Sequence, residues 1–340
     1  MPSRLATLLN RPLAIGDRTI DRRLALAPMT FLGHVAFRHL LAGFGGYGLL
    51  FTEMCSAKRI PHEHRHQSAY FRWRPEELGR LVCQILGNDP VSLARSAQIV
   101  EQEGFFGVDI NFGCSAKTIC STQCGAALLK TPEQAEALAA AVRRAVRIPL
   151  FVKFRTGWRD DPGNAVDLAR RFENAGVDAM TFHPRVAPDR RSRPARWDYI
   201  RQVKQAVSVP VFGNGDVFHP DDCLRMLDTT GCDGVALGRL GIARPWVFAE
   251  WTSGLQVQAG IYRRTALDLL DLHYRHFEPV PALRRFKRFA QYYSANFKYG
   301  HMLYTAIQNA PDRKALQTVI EDFFDTPVDT VMRPNLNFFT

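Results

Sequence analysis

The chain has 340 residues, 46% of them apolar and 23% charged, which is enough for one large α/β domain plus an appendage. No run of about 18 apolar residues occurs, so a membrane-spanning helix is not expected. The formal net charge of +11 points to an anionic partner, with nucleic acid ahead of a membrane surface.

Residues 12–23 alternate around Gly16-Asp17 and predict a small hairpin plugging one end of a larger body. Apolar, β-like runs then recur at 24–27, 49–53, 81–86, 108–111, 150–154, 178–182, 210–213 and 234–237. Helical patterns lie between most of them, at 89–103, from Thr131-Pro132-Glu133 onward, and at 163–175, 198–206 and 220–228. Gly104, Gly176 and Gly231 stand where three of these helices should stop. The runs are continuously apolar rather than alternating, as strands covered on both faces should be. Eight such units predict a (β/α)8 TIM barrel. A doubly wound sheet would want a glycine-rich dinucleotide fingerprint after its first strand, and none is present. After about residue 255 no β-like run appears. Helices are expected at 262–277, 281–297, 304–309 and 312–324, giving a barrel over 1–255 and an all-helical C-terminal domain over 256–340.

In such a barrel the C-terminal strand ends carry the chemistry. The first run ends in Ala27, Pro28, Met29 and Thr30, and the third holds Gln84 before Gly87-Asn88. The fourth ends in Asn111 and Cys114, the fifth in Lys153 and Arg155, and the sixth in His183 and Arg185. The last two give Gly213-Asn214-Gly215-Asp216 and Gly238-Arg239, glycines that let backbone N–H groups approach a phosphate, with Arg239 to pair with it. Lys153 interrupts an apolar run, so it either meets an anion, such as a cofactor ring, or snorkels to the rim. Gln84 offers a donor and an acceptor, which suits a heterocycle edge. His183 at a strand end serves as donor, base or packed ring. Cys114 serves as nucleophile, proton donor, metal ligand or small packed side chain.

These residues resemble the tRNA-dihydrouridine synthases, flavin enzymes that reduce specific uridines in tRNA. The matching motifs run in family order over about residues 24–250. Among them are Leu26-Ala27-Pro28-Met29, Phe37-Arg38, Thr52-Glu53-Met54, Asp109-Ile110-Asn111-Phe112-Gly113-Cys114, Lys117-Thr118, Gly213-Asn214-Gly215 and Gly238-Arg239. The spelling of the Cys loop looks closest to the bacterial C subfamily. The resemblance implies FMN at the barrel mouth, with Pro28, Met29 and Thr30 against the flavin and Gln84 and Lys153 on its ring. It places Asn214, Gly215, Asp216, Gly238 and Arg239 at the ribityl phosphate end. His183 goes with the cofactor or, like Arg185, with the uracil carbonyls or a neighbouring phosphate. Cys114 becomes the catalytic acid. Asn111, Lys117 and Arg155 fall on the substrate side. The chain departs from the family pattern at Ser115, Ile119-Cys120, Cys124 and Pro184, which is expected to loosen or reshape the loop that carries Cys114.

The implied reaction adds a hydride and a proton across the C5=C6 bond of uridine. A flavin supplies the hydride, with NADPH as electron donor using the same mouth in turn. A thiol suits the proton, being protonated near neutral pH yet acidic enough to give the proton up. Uridine in folded tRNA must be extruded, and that needs a basic grip. Three stretches qualify: 58–74, 185–196 and 284–298, each with five Lys/Arg, the last free of acids and interleaved with Phe and Tyr. Arg285, Lys287 and Arg288 are its candidate tRNA contacts. His62, His64 and His66 lack a fourth ligand nearby, and the spacing of Cys114, Cys120 and Cys124 fits no common iron–sulfur pattern, so no metal is expected. Seven scattered cysteines and no secretory signal suit a reduced, cytoplasmic protein, expected to be a monomer. Two other readings fit less of the chain. One is an FMN barrel reducing a small-molecule C=C bond, which leaves the basic appendage idle. The other is a non-catalytic RNA-binding scaffold, which leaves the flavin residues idle.

Overall fold

The computed structural model describes residues 3–189, 193–258 and 260–337. An N-terminal helix α1 (Arg4–Leu9) precedes the hairpin β1 (Leu13–Ile15) and β2 (Arg18–Ile20), turned at Gly16. The parallel strands follow as β3 (Leu24–Leu26), β4 (Leu49–Phe51), β5 (Cys55–Ser56), β6 (Leu81–Leu86), β7 (Gly107–Phe112), β8 (Leu150–Gly157), β9 (Ala179–Val186), β10 (Val211–Asn214) and β11 (Gly234–Leu237). Their order is β4-β3-β11-β10-β9-β8-β7-β6, and the β4–β6 pairing closes the ring. The short β5 continues β4 along the same edge of β6, so the barrel has eight staves. Helices α2 (Val35–Phe44), α3 (Pro90–Gln102), α4 (Lys117–Cys120), α5 (Pro132–Ala145), α6 (Pro162–Asn174), α7 (Trp197–Ala206) and α8 (Pro220–Thr230) lie between strands. The second unit departs from the pattern: residues 57–80 hold only the 3₁₀ turns Ile60–His62 and Pro75–Arg80.

The hairpin plugs the N-terminal end, as expected. Leu13, Ile15 and Ile20 join Phe51, Phe106, Phe151 and Phe212 in one apolar cluster inside the staves. Arg18 Nη1 donates to the carbonyls of Phe105 and Phe106. Strands β8 and β9 are longer than expected and pair as far as Gly157 and Val186. Arg155, His183 and Arg185 therefore sit within strands rather than beyond their ends. Because side chains alternate, Lys153 and Arg155 share one face of β8, and His183 and Arg185 share one face of β9.

After β11 the chain is helical: α9 (Arg239–Ala243), α10 (Val247–Ser253), α11 (Ile261–His276), α12 (Pro279–Tyr293), α13 (Gly300–Asn309) and α14 (Arg313–Phe323). A domain boundary near residue 255 remains our proposal, because one apolar core runs through both parts, including Phe37 of α2 and Phe289 of α12.

Two histidine pairs join α2 to α11. His34 Nδ1 accepts the Phe37 N–H as the cap of α2, so its Nε2 carries the proton and donates to His273 Nε2 at 3.1 Å. His39 and His276 meet at 3.0 Å nearby. Burial first, then Arg285, holds His273 down to about 3, and burial likewise keeps His34 well below its ordinary value. A histidine with a depressed folded pKa contributes fully above the unfolded value of 6.5 and loses that contribution as pH falls toward about 3. At about pH 5, His273 alone should cost about 2 kcal/mol of stability. Urea midpoints measured between about pH 7.5 and 5 should fall steeply, and His273→Phe should flatten the fall by about one proton. An unchanged slope would refute the assignment.

Candidate active site

The C-terminal strand ends enclose a cavity of about 370 Å³, within the size range of roughly 300–1,000 Å³ of cofactor and ligand pockets. Pro28, Met29 and Thr30 line it from the loop after β3, joined by Met54. The expected Gln84, Asn111, Cys114, Lys153, Arg155, His183, Arg185, Asn214, Gly215, Asp216, Gly238 and Arg239 all line the same cavity. Lys117 does not; it is exposed at the start of α4.

A polar ladder crosses the floor. Gln84 and Asp109 are paired residues on β6 and β7, and Gln84 Nε2 donates to Asp109 Oδ2 at 2.5 Å. Asn111 Nδ2 donates to Gln84 Oε1 at 2.8 Å, while Asn111 Oδ1 accepts the N–H groups of Gly113 and Cys114. Asn111 thus fixes the turn that presents the thiol. Arg155 Nε donates to the Gly113 carbonyl at 2.8 Å and braces the same turn. Sequence reasoning gave no role to Asp109. It is fully buried and its Oδ1 has no hydrogen-bond partner; burial, opposed by Gln84 and Lys153, raises it to about 7. Burial, with Arg155, lowers Lys153 to about 8, so most of its ammonium stays charged near neutral pH.

The opposite wall is cationic. Arg185 Nη2 meets both carboxylate oxygens of Asp216 at 2.6 Å, and Arg239 Nη2 reaches the same carboxylate at 3.2 Å. Asp216 thus holds two guanidiniums in place, and Arg239 also binds Asn337. Burial, then Arg155, Lys153, Arg185 and Arg239, keeps His183 a neutral ring, and its Nε2 has no hydrogen-bond partner. Gly215 adopts φ +114°, and a Cβ there would stand 2.7 Å from the His183 ring, so only glycine fits.

The Cys114 loop is tethered by hydrogen bonds on both sides. The Cys114 carbonyl accepts from Ala126 N–H at 2.8 Å and from the Cys120 thiol at 3.6 Å. Gly125, at φ +61°, packs where a Cβ would lie 2.6 Å from that carbonyl. Trp158 Nε1 donates to the Ala126 carbonyl, and Lys130 caps the Trp158 ring. Among the described residues no group of three or more His, Cys, Asp or Glu could hold a metal ion, and no helix is long and apolar enough to cross a membrane.

A second cavity of about 570 Å³ lies between the barrel rim and the C-terminal helices, lined by Phe31, Tyr70, Arg284, Arg285, Lys287, Arg288 and Tyr304. Arg284 and Arg288 are exposed. Arg285 is only 8% exposed, donates to the Ala69 carbonyl and lies 4.0 Å from the buried Glu53. Lys287 Nζ is spent on the Gln308 carbonyl. The other two basic stretches are partly neutralised at home. Arg59 pairs with Glu63, Arg74 with Glu76 and Glu77, Arg193 with Asp189, and Arg196 with Asp160 and Asp189. Arg190 and Arg191 lie outside the described residues.

Comparison with known proteins bears on this site. The family model described as dihydrouridine synthase (Dus) matches residues 25–326. A tRNA-dihydrouridine synthase B of Pseudomonas aeruginosa is 37% identical over 236 residues, 69% of this chain and 70% of that protein. A protein of the same name from Yersinia pestis is 37% identical over 239 residues, 70% of this chain and 74% of that one. A probable tRNA-dihydrouridine synthase 1 of Synechocystis is 34% identical, covering 72% and 68%. The first two carry the B designation, so the expected likeness to the C subfamily finds no support. Among solved structures, a 2-naphthoyl-CoA reductase complex superposes with TM-score 0.57 at 13% identity. It covers 73% of this chain, which spans about half (52%) of that larger one. TcOYE with pHBA gives 0.53 at 13%, covering 74% of this chain and 94% of that one. These two show a shared fold.

Proposed function

The chain belongs to the dihydrouridine synthase family, and from that premise we propose that it reduces specific uridines of tRNA to 5,6-dihydrouridine with FMN, drawing electrons from NADPH. The observation that carries this reading is the convergence of Cys114, Lys153 and the two-arginine clamp on one cavity. Those residues suit the cofactor. Met29 and Met54 offer an apolar face, and His183 Nε2 is a polar atom at the wall in want of a partner. Gly215 and Gly238 keep the wall open for a phosphate end beside Arg239. Bound FMN would supply the hydride.

The chain's own residues do the rest. Lys153 sets a positive charge against the anionic side of the ring. Gln84 and Asn111 hold a fixed donor–acceptor edge at the floor. Asn214, Gly215, Asp216, Gly238 and Arg239 hold the phosphate end, and Arg185 with His183 fixes the uracil carbonyls or the adjoining phosphate. Cys114 stands ready to give its thiol proton to the carbon that does not receive hydride. Lys117, Arg155 and, of the 284–288 stretch, the exposed Arg284 and Arg288 face the RNA, the barrel over 1–255 serving catalysis and the helices over 256–340 serving tRNA binding. We place the protein in the cytoplasm as a monomer.

The test is direct. The purified protein should be yellow, release FMN on denaturation, and with NADPH add two hydrogens to uridines of unmodified tRNA transcripts, seen by nucleoside mass spectrometry. A colourless protein that takes up no FMN, or a flavoprotein that reduces only small enones, would defeat the proposal.

A further inference from the structure

Phe31 is in a conformation that its side chain disfavours. Its backbone sits at φ +66°, in the left-handed region where a bulky residue is rare and usually held for a purpose. Its N–H donates at 2.5 Å to Glu53, whose carboxylate is fully buried and faces Arg285. This clamp turns the ring outward: Phe31 is 39% exposed although large apolar rings usually bury. Its neighbour Thr30 lines the barrel cavity, whereas Phe31 lines the second groove. The two cavities therefore meet across one peptide bond.

The surroundings of the ring are specific. Tyr70 lies 6.2 Å from it, and the Arg288 guanidinium stands 5.7 Å over its face. No acid lines the groove among the described residues, while Arg284 and Arg288 open to solvent. Aromatic faces edged by exposed cations, without a carboxylate, match a nucleotide: base on ring, phosphate on guanidinium. An acidic peptide would use the cations and leave the ring idle.

We infer that Phe31 and Tyr70, edged by Arg284 and Arg288, form a stacking subsite for a nucleobase next to the uridine that enters the barrel. The inference rests on the proposed reduction of uridine in RNA. It adds a second base pocket, one that keeps the RNA strand splayed while its neighbour is extruded.

Full-length, flavin-loaded protein and unmodified tRNA transcripts test it. Phe31→Gly suits the left-handed backbone, so its melting temperature should equal or exceed that of the parent. Its affinity for tRNA should fall about tenfold, with the slope of log K against log salt unchanged. Phe31→Trp should bind as the parent does, and its emission should be quenched by tRNA. Arg288→Gln should weaken binding and lower the salt slope by about one. Irradiation at 254 nm should cross-link RNA to the peptide holding residue 31. Parent-like affinity in Phe31→Gly, or an unquenched tryptophan in a complex that forms, overturns the subsite and leaves the proposed function standing. A parent protein that neither binds nor reduces tRNA overturns both. Should Phe31→Gly fold poorly, the tryptophan signal and the cross-link decide alone.

Discussion

Cys114→Ala is expected to keep its flavin and its grip on tRNA while dihydrouridine formation falls about 10²–10⁴-fold, the usual contribution of a positioned general acid. The side chain projects from a turn held by backbone and by Asn111, not by the thiol. The Asn111 amide accepts the Cys114 N–H, Arg155 holds the Gly113 carbonyl, and Ala126 N–H holds the Cys114 carbonyl. Deleting Sγ therefore removes the proposed proton source and leaves its scaffold. Reduction of the bound cofactor by NADPH, followed in a stopped-flow at the flavin absorbance, should be unaffected, because that half of the cycle does not need the thiol. The oxidative half, followed with tRNA, should stall. Two outcomes would sink the assignment: parent-like turnover in Cys114→Ala, or equal loss in both halves.

Much of this was legible in the chain, and the exceptions share a cause. Continuous apolar runs and their glycine stops gave the barrel, because strands covered on both faces leave no other pattern. The strand-end residues followed, since parallel closure sends them all to one rim. Local pattern could not show where a distant partner overrides propensity. Phe31 takes its conformation from Glu53, 22 residues away, and nothing next to it announces a left-handed turn. Arg285 looked like one of a row of phosphate contacts, yet Ala282, Arg285, Phe286 and Phe289 share the buried stripe of α12. Helical spacing places Arg285 on that stripe, a signal present in the sequence but outweighed by the basic composition of the run. Likewise His273 sits among Leu269, Leu270 and Leu272 on the buried side of α11, where a histidine needs a partner that only the fold supplies.

Glu77→Gln is expected to destabilise the folded chain by about 3–5 kcal/mol, a large fraction of the roughly 5–15 kcal/mol that holds a protein together. Glu77 pairs with Arg38 at 2.8 Å, and both side chains are 0% exposed. Arg38 also donates to the carbonyls of Gly33 and Arg72, at 2.6 and 2.7 Å. One guanidinium thus ties α2, the turn after Met29 and the connection 57–80, a stretch with only two 3₁₀ turns of its own to hold it. Glutamine keeps the shape but leaves a buried positive charge without a counter-ion. Replacing both partners, as Arg38→Met with Glu77→Leu, should recover part of the loss by removing the charge. It should not recover all of it, because the Gly33 and Arg72 carbonyls would then be buried without a donor. Urea unfolding of the two variants beside the parent measures both effects. Since Gly33 follows the Met29–Phe31 turn, flavin retention and tRNA affinity should fall together in Glu77→Gln, whereas Cys114→Ala separates chemistry from both. A Glu77→Gln protein as stable as the parent would mean that the connection 57–80 is held by its apolar anchors, Ile60, Phe71 and Trp73, rather than by this ion pair.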